Sequence, residues 1–111
     1  MRIIIAGAGA VGRHLAKLLS REDMDISLID DRQDRLGDLD ASYDLLTKVG
    51  SPMSINDLKS IGVKDVDLFI AVMPSESDNI TACLLANQLG AKKTLARIDN
   101  YEFLLPENKR I

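Results

Sequence analysis

The feature that most constrains this chain is the run Gly7-Ala8-Gly9-Ala10-Val11-Gly12, which follows Ile3-Ile4-Ile5. Three consecutive β-branched residues read as a strand buried on both faces. Beyond the glycines, Val11, Leu15, Leu18 and Leu19 recur at helical spacing. A GxGxxG run arises by chance in many chains, but between a strand and a helix it has a specific physical use. Gly7 permits the tight turn, Gly9 lacks a side chain that would block a pyrophosphate, and Gly12 lets the helix sit close to the sheet. The backbone amides of the first helical turn, from Ala10 and Val11 onward, then face the phosphates. A glycine-rich turn that serves packing alone is the alternative.

The rest of the chain repeats the same rhythm. Ile26 to Ile29 is a second strand, Leu36 and Leu39 mark a short helix, and Leu45 to Val49 is a third strand. Ile55, Leu58 and Ile61 form a helical stripe, which Gly62 stops as a left-handed cap. Leu68 to Val72 is the most apolar run and predicts a central strand. Glu76 to Leu89 predicts a long helix ended by Gly90, and Thr94 to Ile98 a fifth strand. Asp31 with Asp34, Ser54 with Asp57, and Ser75 with Asp78 each place an oxygen acceptor at a helix start and a carboxylate three residues on. Strand and helix alternating in this way predict an α/β fold with a Rossmann-like, doubly wound parallel sheet. About five strands are expected, in the order 3-2-1-4-5. The segment from Asn100 to Leu105 reads as the start of a helix broken by Pro106. No sixth strand follows, so residues 1–111 read as one nucleotide-binding domain, the N-terminal part of a longer protein.

Composition removes several other functions. A net charge of −3 offers no electrostatic footprint for nucleic acid. No apolar run approaches the roughly eighteen residues of a membrane helix. One histidine and one cysteine make a metal site or a histidine-dependent active site a poor expectation. The lone Cys83 suits a reducing cytoplasm and reads as a small core side chain, and His14 as a surface residue.

Asp30 ends the second strand, eighteen residues beyond Gly12. A carboxylate there accepts hydrogen bonds from the adenosine ribose hydroxyls and repels a 2′-phosphate, which favours NAD over NADP. The adjacent Asp31 is either a helix cap or a ligand contact. Asn79 likewise is either a bond to the loop before its helix or a ligand contact.

The strings IIIAGAGAVGRHLAKLL, ISLIDDRQDRL, and VGS followed by LKSIGVKDVDLFIAVMPSESDNITACLLANQLGAKKTLARI resemble the N-terminal nucleotide-binding lobe of TrkA proteins. These belong to the RCK or KTN group, the regulator-of-potassium-conductance domains. The resemblance covers nearly the whole chain. It implies a cytoplasmic, non-catalytic regulatory subunit that binds NAD(H), ATP or ADP. Such a subunit gates a membrane potassium channel or transporter, lies at the inner face of the membrane through that partner, and assembles as a dimer or larger ring. The resemblance places Gly7, Gly9, Val11 and Gly12 on the phosphates and Asp30 on the ribose. Gly50 and Ser51 become the edge against which adenine rests, Met73 a wall near the second half of the ligand, and Arg97 a basic residue within reach of phosphate. Ser51 stands where many relatives have Asp, and Met73-Pro74 replaces the usual Thr-Asn type of turn.

The competing reading is the cofactor half of an NAD-dependent dehydrogenase. Hydride transfer needs a proton donor or acceptor near the nicotinamide. The loops after the first, fourth and fifth strands carry no histidine, lysine or tyrosine in such a place.

Overall fold

A computed structural model describes residues 1–98. Its elements are β1 (Arg2–Ala6), α1 (Ala10–Ser20), β2 (Asp25–Asp30), α2 (Gln33–Leu36), α3 (Leu39–Ser42), β3 (Leu46–Val49), α4 (Ile55–Ser60), β4 (Leu68–Ala71), α5 (Glu76–Gln88) and β5 (Thr94–Ala96). The five strands form one sheet in the order β3-β2-β1-β4-β5, and every pairing is parallel. The expected sheet is therefore present. The helix expected from Asn100 to Leu105 lies outside the described residues.

Both faces of the sheet are covered, which explains the unbroken apolar run of β1. Ile3 and Ile5 join one core with Ala16, Leu28 and Leu36, while Ile4 and Ala6 join the other with Leu58, Phe69, Ala82 and Ala86. Cys83 belongs to the second core, where burial pushes its thiol pKa up. Small residues of α1 and α5, among them Gly12, Ala16, Ala82 and Ala86, are the buried ones, so these helices approach the strands closely.

Helices α4 and α5 end alike. Gly62 (φ +83) and Gly90 (φ +112) take the left-handed conformation just past the last turn. Val63 N–H then donates to Leu58 C=O and Ala91 N–H to Ala86 C=O, while Gly62 and Gly90 donate to Lys59 and Asn87. This is the Schellman pattern, with its apolar contact between the flanking residues. Both ends lie at the amino edge of the sheet, where backbone bonds lace the loops together. Asp67 N–H donates to Arg2 C=O, Asp65 N–H to Gly90 C=O and Lys92 N–H to Val66 C=O. Arg2 adds a guanidinium bond to Gly62 C=O at 2.8 Å.

Three expectations need correction. The single helix read at Leu36 and Leu39 is two four-residue turns, α2 and α3, parted by Gly37 at φ +50. The third and fifth strands are shorter than read: Leu45, whose N–H makes a turn bond to Tyr43 C=O, precedes β3, and β5 ends at Ala96. Asp31 does not cap α2. Arg32 is its N-cap residue and makes no side-chain cap bond, since a guanidinium has no acceptor; it forks onto Asp34 instead, while Arg32 N–H donates to Asp30.

Candidate functional site

The candidate site residues lie at the carboxyl ends of the strands, in the loops that leave them and in the first turn of α1. Strand order reverses between β1 and β4, the place where open parallel sheets bind ligands. A hollow of about 270 Å3 lies at the opposite end, lined by Arg2, Asp25, Asp44 and Ile61 among others. None of the sequence-selected residues lines it.

The three glycines differ in why they are glycine. Gly7 has φ +108, and a Cβ there would sit 3.0 Å from Met73 Cγ and 3.1 Å from Met73 N. Turn and close approach both require glycine at that position. A Cβ on Gly12 would stand 1.7 Å from Gly7 C=O oxygen, so no side chain fits between helix and loop. Gly9 has neither constraint. Its φ is −72 and a Cβ would meet no protein atom within 4 Å.

Gly9 is also the N-cap residue of α1, and it supplies no side-chain cap. The first turn of α1 holds no acidic residue. Ser54 and Ser75, by contrast, accept from Asp57 N–H and Asp78 N–H at the starts of α4 and α5. The α1 terminus thus presents its amide donors and the positive end of its dipole with neither a side-chain cap nor an acid of its own first turn. Ala10 and Val11 turn their side chains outward, along an apolar groove shared with His14, Leu15 and Leu18. Only their backbones can serve a ligand at the glycine loop.

Asp30 is 4% exposed. Its Oδ2 accepts from Ala8 N–H at 2.7 Å and its Oδ1 from Arg32 N–H at 2.8 Å, with Arg35 Nη1 3.7 Å from Oδ2. The carboxylate therefore ties the end of β2 to the glycine loop and keeps further lone pairs for hydroxyl donors. Arg32 forks onto Asp34 on the surface, which holds the Asp34 carboxyl below the usual range and raises Arg32. That pairing and the neighbouring Asp30 occupy Arg32 as a partner for a 2′-phosphate. Asp31 is exposed.

Gly50 N–H donates to Asp30 C=O, which brings the end of β3 beside β2. Ser51 N–H donates to Asp57 Oδ2 at 2.9 Å, and Ser51 Oγ accepts from Met53 N–H at 3.1 Å. Asp57 therefore reaches three residues back beyond the cap position that its spacing suggested. A Cβ on Gly50 would stand 2.9 Å from that same carboxylate, so this loop too is closely packed. Met73 packs against Gly7, and Arg97 N–H donates to Ala71 C=O as the chain leaves β5. Gly7, Met73, Asp30 and Gly50 thus form one connected rim, with Arg97 at its β5 end. Asn79 and Asp57 bond the backbone of that rim; only their place near helix starts signalled this in the sequence.

Residues 3–107 match the TrkA-N domain family. The chain belongs to that family. It is 42% identical over 110 residues to the Trk system potassium uptake protein TrkA of Haemophilus influenzae, covering 98% of this chain and 24% of that protein. It is 38% identical over 105 residues to the TrkA of Vibrio alginolyticus, covering 94% and 23%. The TrkA-N chain thus spans about a quarter of the length of these relatives. Among solved structures, the GsuK channel bound to NAD superposes with a TM-score of 0.74 at 22% identity, over 96% of this chain and 20% of that one. The Shewanella denitrificans Kef CTD in AMP bound form gives 0.76 at 22% identity, over 94% and 65%. Both share the TrkA-N fold.

Proposed function

We propose that this TrkA-N chain binds NAD(H) or an adenine nucleotide, ATP or ADP among them, as a regulatory signal. The signal acts on a membrane potassium channel or transporter, and the domain does no chemistry on its ligand. Gly9 carries the binding half of this reading. Neither strain nor packing inside the domain asks for glycine there, whereas the approach of a pyrophosphate to the α1 amides does. The relatives' names, Trk system potassium uptake protein, support the transport half. The titles of two proteins of the same fold, one bound to NAD and one to AMP, support the class of ligand.

In this reading the α1 amides after Gly9 hold the phosphates and Gly12 keeps the helix at the right distance. Asp30 accepts the adenosine ribose hydroxyls, and Gly50 and Ser51 edge the adenine. Met73 walls the far half and Arg97 stands near its phosphate; Asp31 flanks the ribose. A bound nucleotide favours whichever assembly geometry binds it more tightly, and by no more than that difference. In this reading the domain works as a homo-oligomer, a dimer or larger ring, at the cytoplasmic face of the membrane. No helix among the described residues is long and apolar enough to cross a membrane.

Thermal melting with and without NADH, NADPH, ATP and ADP tests this. At a hundredfold excess over Kd, a ligand of the folded state adds about 2.7 kcal/mol. That gain raises the Tm of a domain this size by roughly 10 °C or more. NADPH should give a smaller shift than NADH, because of Asp30. Gly9→Val should remove the shift and leave the ligand-free Tm nearly unchanged. A wild type indifferent to all four nucleotides at millimolar concentration defeats the reading. Reproducible NADH oxidation that a single substitution abolishes would return it to the dehydrogenase class.

A further inference from the structure

Asn79, in the first turn of α5, is 1% exposed and has no hydrogen-bonding hydrogen to spare. Its Oδ1 accepts from Met73 N–H at 2.7 Å. Its Nδ2 donates to Met73 C=O at 2.9 Å and to Arg97 C=O at 3.0 Å. One buried amide thus grips both polar groups of Met73 and joins the loop after β4 to the chain leaving β5. Met73 in turn abuts Gly7, whose loop is held separately by the bond from Ala8 N–H to Asp30.

We propose that Asn79 is a positioning residue for the far half of a bound dinucleotide, fixing the Met73 and Arg97 backbones without touching the ligand. This inference rests on the nucleotide-binding reading above. A dinucleotide lies across the carboxyl ends of the strands at the point where their order reverses. Its adenosine half falls to the Asp30 and Gly50 side, and the remainder passes over β4 and β5. The near side is held by a separate set of bonds, from Asp30 to Ala8 and from Asp57 to Ser51. The acceptor and both donors of the Asn79 side chain are spent on Met73 and Arg97. Sites lose precision when the shell behind their contact residues is loosened. Losing Asn79 therefore loosens one half of the rim and spares the other.

The sign of each bond narrows the choice of side chain. Asparagine offers an acceptor to one N–H and two donors to two carbonyls. Aspartate keeps the acceptor and sets a second oxygen against both carbonyls. Leucine fills the space and offers nothing.

The test is calorimetric titration of the whole chain with AMP and with NADH, for wild type, Asn79→Ala and Asn79→Asp. AMP reports the near half alone. Asn79→Ala should weaken NADH about tenfold or more, the scale of one lost hydrogen-bonded contact, and change AMP by less than about twofold. Asn79→Asp should show the same split, and it stands in if the alanine variant does not fold. Equal weakening of both ligands would mark Asn79 as general fold support and overturn the proposal, as would NADH affinity left at the wild-type value. A wild type that binds neither AMP nor NADH would instead sink the nucleotide-binding reading itself, before any variant is compared.

Discussion

The starts of α1 and of α5 show two solutions to one problem. Each helix must satisfy four amide groups that have no partner within the helix. At α5, Ser75 accepts from Asp78 N–H, and Glu76 and Asp78 lay negative charge on the first turn. Helix α4 does the same with Ser54 and Asp57. At α1 the corresponding residue is Gly9, in an extended conformation that serine would adopt equally well, and no acid follows it. Among the five helices of the described residues, α1 is the one with neither a side-chain cap bond nor an acid in its first turn, and its amides are left to whatever anion meets them. Such a terminus marks a site that gives up local stability for binding, a trade proteins make at functional positions.

That contrast can be tested by moving features between the two kinds of terminus. The largest effect should come from Gly12→Ala, because its methyl group would collide with the Gly7 carbonyl rather than with a side chain that can step aside. Helix and loop must separate, at a cost of about 3 kcal/mol or more. Urea denaturation should show this as a lower midpoint even without nucleotide, which distinguishes Gly12 from Gly9.

Next come the capped helices. Ser54→Ala and Ser75→Ala should each lose about 1 kcal/mol, or roughly 4–8 °C in Tm. The nucleotide-induced shift should survive in both. Loss of that shift in either serine variant would mean that the capped termini also serve the ligand, and the contrast would collapse.

The smallest change in the ligand-free protein should follow Gly9→Asp, which gives α1 the kind of cap that α4 and α5 possess. A Cβ at this position meets no protein atom within 4 Å. The ligand-free domain should gain about 0.5 kcal/mol from the cap and the dipole, seen as a Tm higher by a few degrees. Its response to NADH should vanish, since a carboxylate would stand where the pyrophosphate belongs. A variant no more stable than wild type would show that the α1 amides are already satisfied within the domain.

Much of this could be read in the sequence because its signals are local. Runs such as Ile3-Ile4-Ile5 and Phe69-Ile70-Ala71 need only be apolar on both faces to declare buried parallel strands. Gly62 and Gly90 declare helix ends for an equally local reason, a positive φ. What escaped depends on partners distant in the chain or on competition among neighbours. Asp31 had the right type and spacing for a cap, but Asp34 found Arg32 and the Arg32 amide found Asp30. Asn79 does bond the loop before its helix, at Met73, but its further bond to Arg97 spans eighteen residues and has no local signal. The second duty of Asp30, holding Ala8 N–H, spans twenty-two residues and has no sequence signature.

The paired Schellman ends and the laced loops around Arg2, Asp67 and Gly90 sit opposite the glycine rim. Amide protons there, such as those of Val63, Ala91 and Asp67, should exchange with solvent only when the whole domain opens. Those of Ala8 and Met73 hang on single side chains and should exchange through smaller openings that nucleotide suppresses. In deuterium-labelling terms the sheet has a slow end and a tunable end. A ligand can then reset the rim while the opposite edge holds the domain's register.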